Sequence, residues 1–404
     1  MSAVHIIATC DTKGLEAGWL RTRLQELEVD VRLIDAGCLG MPGAHPDITR
    51  EEVYRAAGTS HAETVRRGDR GAAVTAAARG VAAIERAAYE RNELSGVISL
   101  GGSAGTTIGT AAMRALPIGI PKIMLSTLTS GDVRTYVRDK DIVMWNPVVD
   151  IAGMNRINRM VLGNAAAAMA GMVNAKPAVD ESAERPLIAA TMFGVTTPCV
   201  EHARGILEDT GYEVLVFHAT GTGGETLEAL AREGLFAGVL DITTTEIADE
   251  LVGGVLSAGP DRLSAAAEAG IPQVVSVGAT DMVNFLARDT VPECFEQRSF
   301  YQHNANVTLM RTTIEENHKI GTAIGARVAK SKGQSALLLP LRGVSAIDQE
   351  GKPFHSPDAR AALFEAVRQN CGSVPCIELD LHINDPGFAA ISANKLLELM
   401  QKGS

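Results

Sequence analysis

The chain has 404 residues, a length that suggests two or three domains and a substantial buried core. With 37 basic against 48 acidic side chains its net charge is −11, and aromatic residues make up only 4 %. That balance argues against a protein that coats nucleic acid or an anionic membrane, and it leaves few platforms for stacking bases. Hydrophobic residues at 46 % and charged residues at 21 % describe an ordinary folded chain. The 40 glycines need a structural reason, because they are not gathered in linkers.

The first segment, MSAVHIIATCDTKG, has no basic stretch ahead of a long apolar run, as a secretory leader would. The longest uncharged run, Val97 to Met113, is interrupted by glycines and hydroxyls and is too short and polar to span a bilayer. Cys10, Cys38, Cys199, Cys294, Cys371 and Cys376 are scattered with no CxxC pair, which argues against a disulfide scaffold or a structural zinc site. A cytoplasmic protein is expected, with no metal site, no membrane and no nucleic-acid partner.

Val4–Ala8 reads as a short strand, Cys10–Gly14 as a polar turn, Leu15–Leu27 as an amphipathic helix and Val29–Asp35 as a second strand. Strand, helix and strand in about thirty residues make a βαβ unit with parallel strands. An insertion over Cys38–Ser60 carries a helix at Thr49–Ala57, and a long helix is expected over Ala62–Glu93. Ser95–Leu100 and Gly119–Met124 read as strands around a helix at Thr107–Ala115, and a further strand ends near Asp141–Met144. Asp150 is expected to cap an Ala/Met-rich helix running to Val173, a helix suited to burial or to a dimer contact.

The same design returns after residue 185. Pro186–Ala190 and Tyr212–Phe217 read as strands around a helix at Val200–Thr210. Ser95–Leu100 is echoed by Ala237–Asp241, and Gly119-Ile120-Pro121 by Gly270-Ile271-Pro272, where proline stops a helix and launches a strand. Two more strand–helix pairs follow, Ala336–Pro340 with Ala359–Gln369 and Cys376–Leu381 with Phe388–Met400. The expected fold is α/β: two Rossmann-like parallel-sheet domains related by internal duplication, 1–176 and 186–404, with a linker at 177–185.

Ligands of open parallel sheets bind beyond the carboxyl ends of the strands, so the residues after each strand are the ones to read. Asp11-Thr12-Lys13-Gly14 follows the first strand, where helix amides, a lysine and a hydroxyl can take an anion; Asp11 or Thr12 acting only as a helix cap reads equally well. Cys10 is either a nucleophile or, more commonly for such a position, a buried strand-end thiol. Gly101-Gly102-Ser103-Ala104-Gly105-Thr106 follows an apolar strand and opens a helix. It is a candidate phosphate or carboxylate cradle, the alternative being a tight helix–strand crossing that needs small residues. It is neither a Walker loop nor a GxGxxG fingerprint. Ser126, Thr127, Ser130, Gly131 and Asp132 follow the next strand and suit a ribose, a phosphate or a metal-bound water.

The second half offers Thr196 and Thr197, a second glycine cradle at Gly221, Gly223 and Gly224, and Arg342 with Ser345 after a buried strand, all candidates for substrate binding. His303 and Arg311 lie eight residues apart around Asn304 and Asn306, and His382 follows the last strand; these are the weak catalytic candidates. No HExxH, GxSxG or paired Cys/His ligand set is present.

Taken together, Thr9-Cys10-Asp11-Thr12-Lys13-Gly14-x-Glu16, Leu100-Gly101-Gly102-Ser103-x-Gly105-Thr106, Arg114-Ala115-Leu116-Pro117-Ile118-Gly119-Ile120-Pro121-Lys122, Ser130-Gly131-Asp132 and Asp150-Ile151-Ala152-Gly153-x-Asn155 resemble an uncharacterised bacterial and plant family. It is the family of the N-terminal inhibitory domain of the tomato mosaic virus resistance protein. Phe193-Gly194-Val195-Thr196-Thr197-Pro198, His218-Ala219-Thr220-Gly221-x-Gly223-Gly224 and Leu339-Pro340-Leu341-Arg342-Gly343-Val344-Ser345 extend the resemblance over essentially the whole chain. It implies two Rossmann-like domains, ATP held mainly by the first of them, and a homodimer. Members of the family are often joined to a TIM-barrel domain, for which this chain leaves no room, so a separate TIM-barrel protein is an expected partner.

The expected function is therefore ATP binding, with Mg2+ as a companion ion, in an enzyme that acts on a small anionic metabolite in the cleft between the halves. Lys13 and the 101–106 loop would hold phosphates, and Ser126, Thr127 and Asp132 would contact ribose or a magnesium shell. A non-catalytic, ATP-responsive module for a protein partner is one alternative. An ATP-independent enzyme on a carboxylate or sugar acid, using His303, Arg311 and His382, is another.

Overall fold

A computed structural model describes residues 2–175 and 185–402. The chain divides into two compact units, Met1–Val179 and Asp180–Ser404. The expected linker, 177–185, lies outside the described residues but for Arg185.

The first unit runs β1 (Ala3–Ala8), α1 (Cys10–Glu26), β2 (Val31–Asp35), α2 (Arg50–Ala56), α3 (His61–Arg67), α4 (Arg70–Glu90), β3 (Leu94–Gly101), α5 (Ser103–Arg114), β4 (Lys122–Ser126), α6 (Arg134–Val137), β5 (Val143–Trp145) and α7 (Arg156–Asn174). Its strands form a five-stranded parallel sheet in the order β2-β1-β3-β4-β5. Near-continuous apolar runs such as Val4, Ile6 and Ile7 follow from burial on both faces. On one face Leu20, Leu24, Leu162 and Met169 of α1 and α7 pack on Ile6, Ile98 and Leu125. On the other, Tyr54, Val81, Ile108 and Met113 of α2, α4 and α5 pack on Ile7, Val97 and Met124.

The second unit runs β6 (Leu187–Met192), α8 (Thr197–Asp209), β7 (Glu213–His218), α9 (Thr222–Arg232), β8 (Phe236–Thr243), α10 (Thr245–Val252), α11 (Ala265–Ala269), β9 (Gln273–Gly278), β10 (Met282–Phe285), β11 (Phe300–Asn304), β12 (Val307–Arg311), α12 (Ile314–Val328), β13 (Ser335–Pro340), α13 (Pro357–Asn370), β14 (Cys376–Leu379) and α14 (Pro386–Lys402). Its six-stranded parallel sheet has the order β14-β13-β9-β8-β6-β7, the same topology lengthened by one strand.

The two units repeat at the level of single residues. The first strand of each shifts register against the third at one step, between Ala3 and Val4 and between Leu187 and Ile188. Just beyond that step lie Gly96 and Gly238. A Cβ on Gly96 would meet Met169 Sδ at 3.0 Å, and one on Gly238 would meet Met400 Sδ at 2.8 Å. In both units, then, a glycine in the third strand admits a methionine from the last helix.

Several boundaries depart from the sequence expectation. The polar turn at Cys10–Gly14 is wound into α1, with Lys13 bent out of helical geometry at φ −125°. The long helix over 62–93 is broken: Gly68 ends α3 at φ +65°, and the Asp69 side chain accepts the Ala72 amide to open α4. Asn155, not Asp150, caps α7, accepting the Asn158 amide at 2.9 Å. Between β9 and β13 the chain builds an antiparallel sheet, β10-β12-β11, where no strands were expected.

Polar residues are also buried in the second unit. The Arg262 guanidinium, fully enclosed, donates two hydrogen bonds to Asp241, at 2.5 and 2.7 Å, and one to Glu246 at 2.7 Å. It also reaches Glu228, which accepts the amides of Leu263, Ser264 and Ala265. Elsewhere, burial pushes the Asp249 carboxyl up to about 7. Burial first, and then the charge of Asp348, push Asp281 up as well.

Arg262→Met should leave three buried carboxylates without their cation and lower unfolding stability by about 3–5 kcal/mol, read from denaturant unfolding. Because Asp249 and Asp281 bind protons more tightly folded than unfolded, their contribution to stability is full below about pH 4, the usual carboxyl range. It is lost as pH rises toward 7. Asp281→Asn, which mimics the protonated form, should flatten that decline when denaturation midpoints at pH 5 and pH 8 are compared.

Candidate functional site

In the first sheet β1 and β3 are neighbours, yet β1 connects to β2 on one side while β3 leads to β4 and β5 on the other. The loops leaving their carboxyl ends diverge there, the place where open α/β sheets bind ligands. Here they border a cleft of about 390 Å³, lined from the β1 loop by Thr9, Asp11, Thr12 and Lys13 and from the β3 loop by Gly102–Gly105. Two helices, α1 and α5, begin at its floor.

The start of α5 is open because its cap is Gly102, which has no side chain to bond the first amides. A Cβ on Gly102 would touch only Thr127 Oγ1, at 3.6 Å, so this glycine faces free space. The neighbouring glycines serve packing. A Cβ on Gly101 would lie 3.0 Å from Gly105 Cα, and one on Gly105 would lie 3.1 Å from the Leu100 carbonyl oxygen. The tight helix–strand crossing thus accounts for Gly101 and Gly105, while Gly102 leaves the start of α5 open.

On α1, Lys13 Nζ donates to the Ile151 carbonyl, and Glu16 accepts the Gly153 amide at 2.6 Å. These two bonds tie the loop after β5 to α1 and set Asp150 in the cleft wall. Asp11 gathers the loop after β2: one oxygen accepts the amides of Cys38, Leu39 and Gly40 at 3.0, 2.8 and 3.4 Å, and the other has no partner. Asp35, at the end of β2, is sealed off instead. It accepts from the amides of Cys10 and Gly37 and from Arg50 Nε at 2.7 Å, leaving it no part in reading a ribose.

The cleft also contains residues the sequence reading passed over. Arg70, at the first position of α4, lines it and makes no hydrogen bond or ion pair among the described residues. Leu39, Val74 and Asp150 line it too. Arg70 was hidden because the Gly68-Asp69 break was read as the interior of one long helix; the pair of turn residues was its available signal.

Of the expected nucleotide contacts, Asp11, Thr12, Lys13, Gly102, Ser103, Gly105 and Thr127 are brought together around the cleft. Thr106 and Ser126 are fully buried behind it, their hydroxyls 2.7 Å apart, and knit α5 to β4. Ser130, Gly131 and Asp132 are not among the lining residues; Asp132 is exposed and paired with Arg134 at 2.7 Å, which pulls its carboxyl down to about 2. Burial and the Asp35 charge push the Cys10 thiol up to about 12, a value unsuited to a nucleophile.

The candidates of the second unit have protein partners. The amides of Gly221 and Gly224 both donate to Glu246 Oε1, at 2.8 and 3.0 Å, so the second cradle already holds a carboxylate of its own chain. A Cβ on Gly223 would meet the His218 carbonyl oxygen at 1.9 Å, so that glycine answers to packing. Thr196 is buried against Thr243, with hydroxyls 2.8 Å apart, and Thr197 donates to the Phe193 carbonyl. Arg342 forms a two-pronged surface pair with Asp380, and Ser345 donates to Asp281 at 2.8 Å.

The catalytic candidates do not converge. His382 accepts the Asn384 amide at Nδ1, so its Nε2 donates to the Ser345 carbonyl at 2.9 Å, and both ring nitrogens are engaged. Arg311 is buried and donates to the carbonyls of Phe354 and Thr312. His303 is exposed near the tip of the β11–β12 hairpin, whereas the Arg311 amide donates to Ser299 at its base. Four strand residues separate the two, about 13 Å. Among the described residues no group of three His, Cys, Asp or Glu is placed to hold a metal ion, and no helix is long and apolar enough to cross a membrane.

Comparison with known proteins gives a family. The profile of the Uncharacterised protein family (UPF0261) N-terminal domain matches residues 2–178, and that of its C-terminal domain matches residues 185–400. A UPF0261 protein of Clostridium tetani is 49 % identical over 99 % of both chains. The tomato ToMV resistance protein Tm-1(GCR237) is 43 % identical over 82 % of this chain, which spans 45 % of that longer protein. Among solved structures, Acinetobacter baumannii MurG aligns with 98 % of this chain at 12 % identity and a TM-score of 0.23, a likeness too low to carry an argument. With both family profiles matched across its two units, the chain belongs to the UPF0261 family.

Proposed function

We propose that the first unit binds ATP in the cleft between the ends of β1 and β3. The observation that carries this reading is the meeting of three positive features at one point: the uncapped start of α5, Lys13 and Arg70. Free helix amides favour an anion through both hydrogen bonds and the helix dipole, and two cations with a ligand-sized opening add to that. Asp150 stands in the cleft wall beside the cradle, where Mg2+ carried by the phosphates would find a ligand or bound waters.

Whether the bound nucleotide is consumed divides the two functional readings. An enzyme acting on a small anionic metabolite fits the polar cleft. The engagement of His382, Arg311, Ser345 and the second glycine cradle within the protein favours a module that responds to ATP without turning it over. A homodimer is supported by an exposed stripe on α7, where Ile157 and Met160 are 40 % and 58 % exposed and Asn164, Ala167 and Gly171 continue the same face.

Calorimetric titration with ATP and Mg2+ should show saturable binding. Lys13→Ala and Arg70→Ala should each weaken it at least tenfold, and Gly102→Val should block it by filling the cradle; unchanged affinity in all three would refute the site. Incubation with ATP, magnesium and a metabolite pool separates enzyme from module by nucleotide turnover. Met160→Glu should shift sedimentation from dimer to monomer, and a wild-type monomer would remove the dimer.

A further inference from the structure

Chemistry changes along the cleft, and the sheet order sets the direction of change. Toward the β4–β5 side its walls are Thr127 and Asp150, both polar; at the centre lie the glycine loop, Lys13 and Thr12. From the loop after β2 the wall is Leu39, and from α4, which packs between α2 and α5, it is Val74. Leu39 is 66 % exposed, an unusual state for a leucine at the mouth of a polar cleft. It is not there by slackness. Asp11 clamps the amides of Cys38, Leu39 and Gly40, and Arg50 holds the Gly40 carbonyl at 2.5 Å, so the backbone presents the side chain outward. Val74 lies one helical turn beyond Arg70 on α4, and residues spaced by four share a helix face. A guanidinium and an apolar side chain therefore stand in sequence along one wall.

An inorganic phosphate chain has no use for that apolar end. We infer that the cleft is built for a nucleoside polyphosphate in one orientation, with the nucleoside between Leu39 and Val74 and the phosphate tail running past Gly102 toward Thr127 and Asp150. This rests on the nucleotide reading above and adds to it a direction and a discriminating pair. Among the described residues no aromatic, asparagine or glutamine lines the cleft. The nucleoside is thus held by apolar contact rather than by reading its hydrogen-bonding edge, and purine identity matters little.

The test is a titration of wild type, Leu39→Ser and Val74→Ser with ATP, GTP and inorganic triphosphate, each with magnesium. Leu39 is exposed, so Leu39→Ser should keep the wild-type melting temperature. Val74 also packs on the core, and the triphosphate titration of Val74→Ser shows that its phosphate cradle remains folded. Wild type should bind ATP and GTP within about threefold of each other and at least tenfold more tightly than triphosphate. Each variant should lose about tenfold for the nucleotides and nothing for triphosphate. If ATP and triphosphate bind wild type equally, the nucleoside subsite is refuted while the phosphate cradle stands. If the nucleotides bind more tightly but neither variant changes that, the subsite lies elsewhere and the inference fails. If neither ATP nor triphosphate binds, the nucleotide reading itself falls.

Discussion

The strand order 2-1-3-4-5 is the constraint from which the rest of the first unit follows. Parallel strands need crossover helices, and right-handed crossovers from β1 go to one side of the sheet while those from β3 go to the other. Two adjacent strand ends are thereby left without a connection crossing between them, and two helices start at that opening. The amides at a helix start cannot be satisfied within the helix, so an opening of this kind has donors facing it before any side chain is chosen. The side chains then decide whether it stays open. In this unit glycine at position 102 leaves the α5 amides bare.

The second unit shows the same backbone with the opposite choice. Aligning Gly96 with Gly238 places Thr244 opposite Gly102, Glu246 opposite Ala104 and Ile247 opposite Gly105. Thr244 and Ile247 are fully buried, and the Glu246 carboxylate turns to the amides of Gly221 and Gly224 and to Arg262. An internal anion thus holds the amides of the loop after β7, as Asp11 holds those of the loop after β2 in the first unit. The counterpart of the open Gly102 position is filled by Thr244. Burying the Glu246 carboxylate is costly, which is why its pKa is pushed up despite the cation beside it. The amides of Gly221 and Gly224 and the Arg262 guanidinium, shared with Asp241, offset part of the cost.

Strands and their order of appearance were legible because a sheet covered on both faces demands apolar runs, and Val97–Leu100 or Leu337–Leu339 have no other use. The glycine loop after β3 was legible for the same kind of reason, since only a strand-to-helix junction explains glycines in that place. Boundaries set by tertiary bonds were not. The β5–α7 loop is held by Lys13 and Glu16, more than a hundred residues away in sequence, so Asp150 looked like a local cap. Arg70 was lost in an alanine-rich run whose helical periodicity continues across the break at Gly68. The β11–β12 hairpin escaped because Tyr301, Gln302, His303 and Asn304 are exposed and carry no apolar alternation.

Polarity at strand ends is what misled the reading of the second unit, and the structure separates its two causes. A polar residue placed after a strand can serve a ligand or replace one, and composition is identical in the two cases. The difference lies in whether a compensating charge is buried nearby. Around Asp241 and Glu246 the counter-charge is Arg262, itself inside the protein, and the set is closed. Around the first-unit cradle Asp35 has Arg50 as its partner, while Arg70 on the cleft wall has none among the described residues. A cation left unmatched beside bare helix amides is a charge that the fold itself does not neutralise. That imbalance, more than the count of glycines or hydroxyls, distinguishes the open switch point from the filled one.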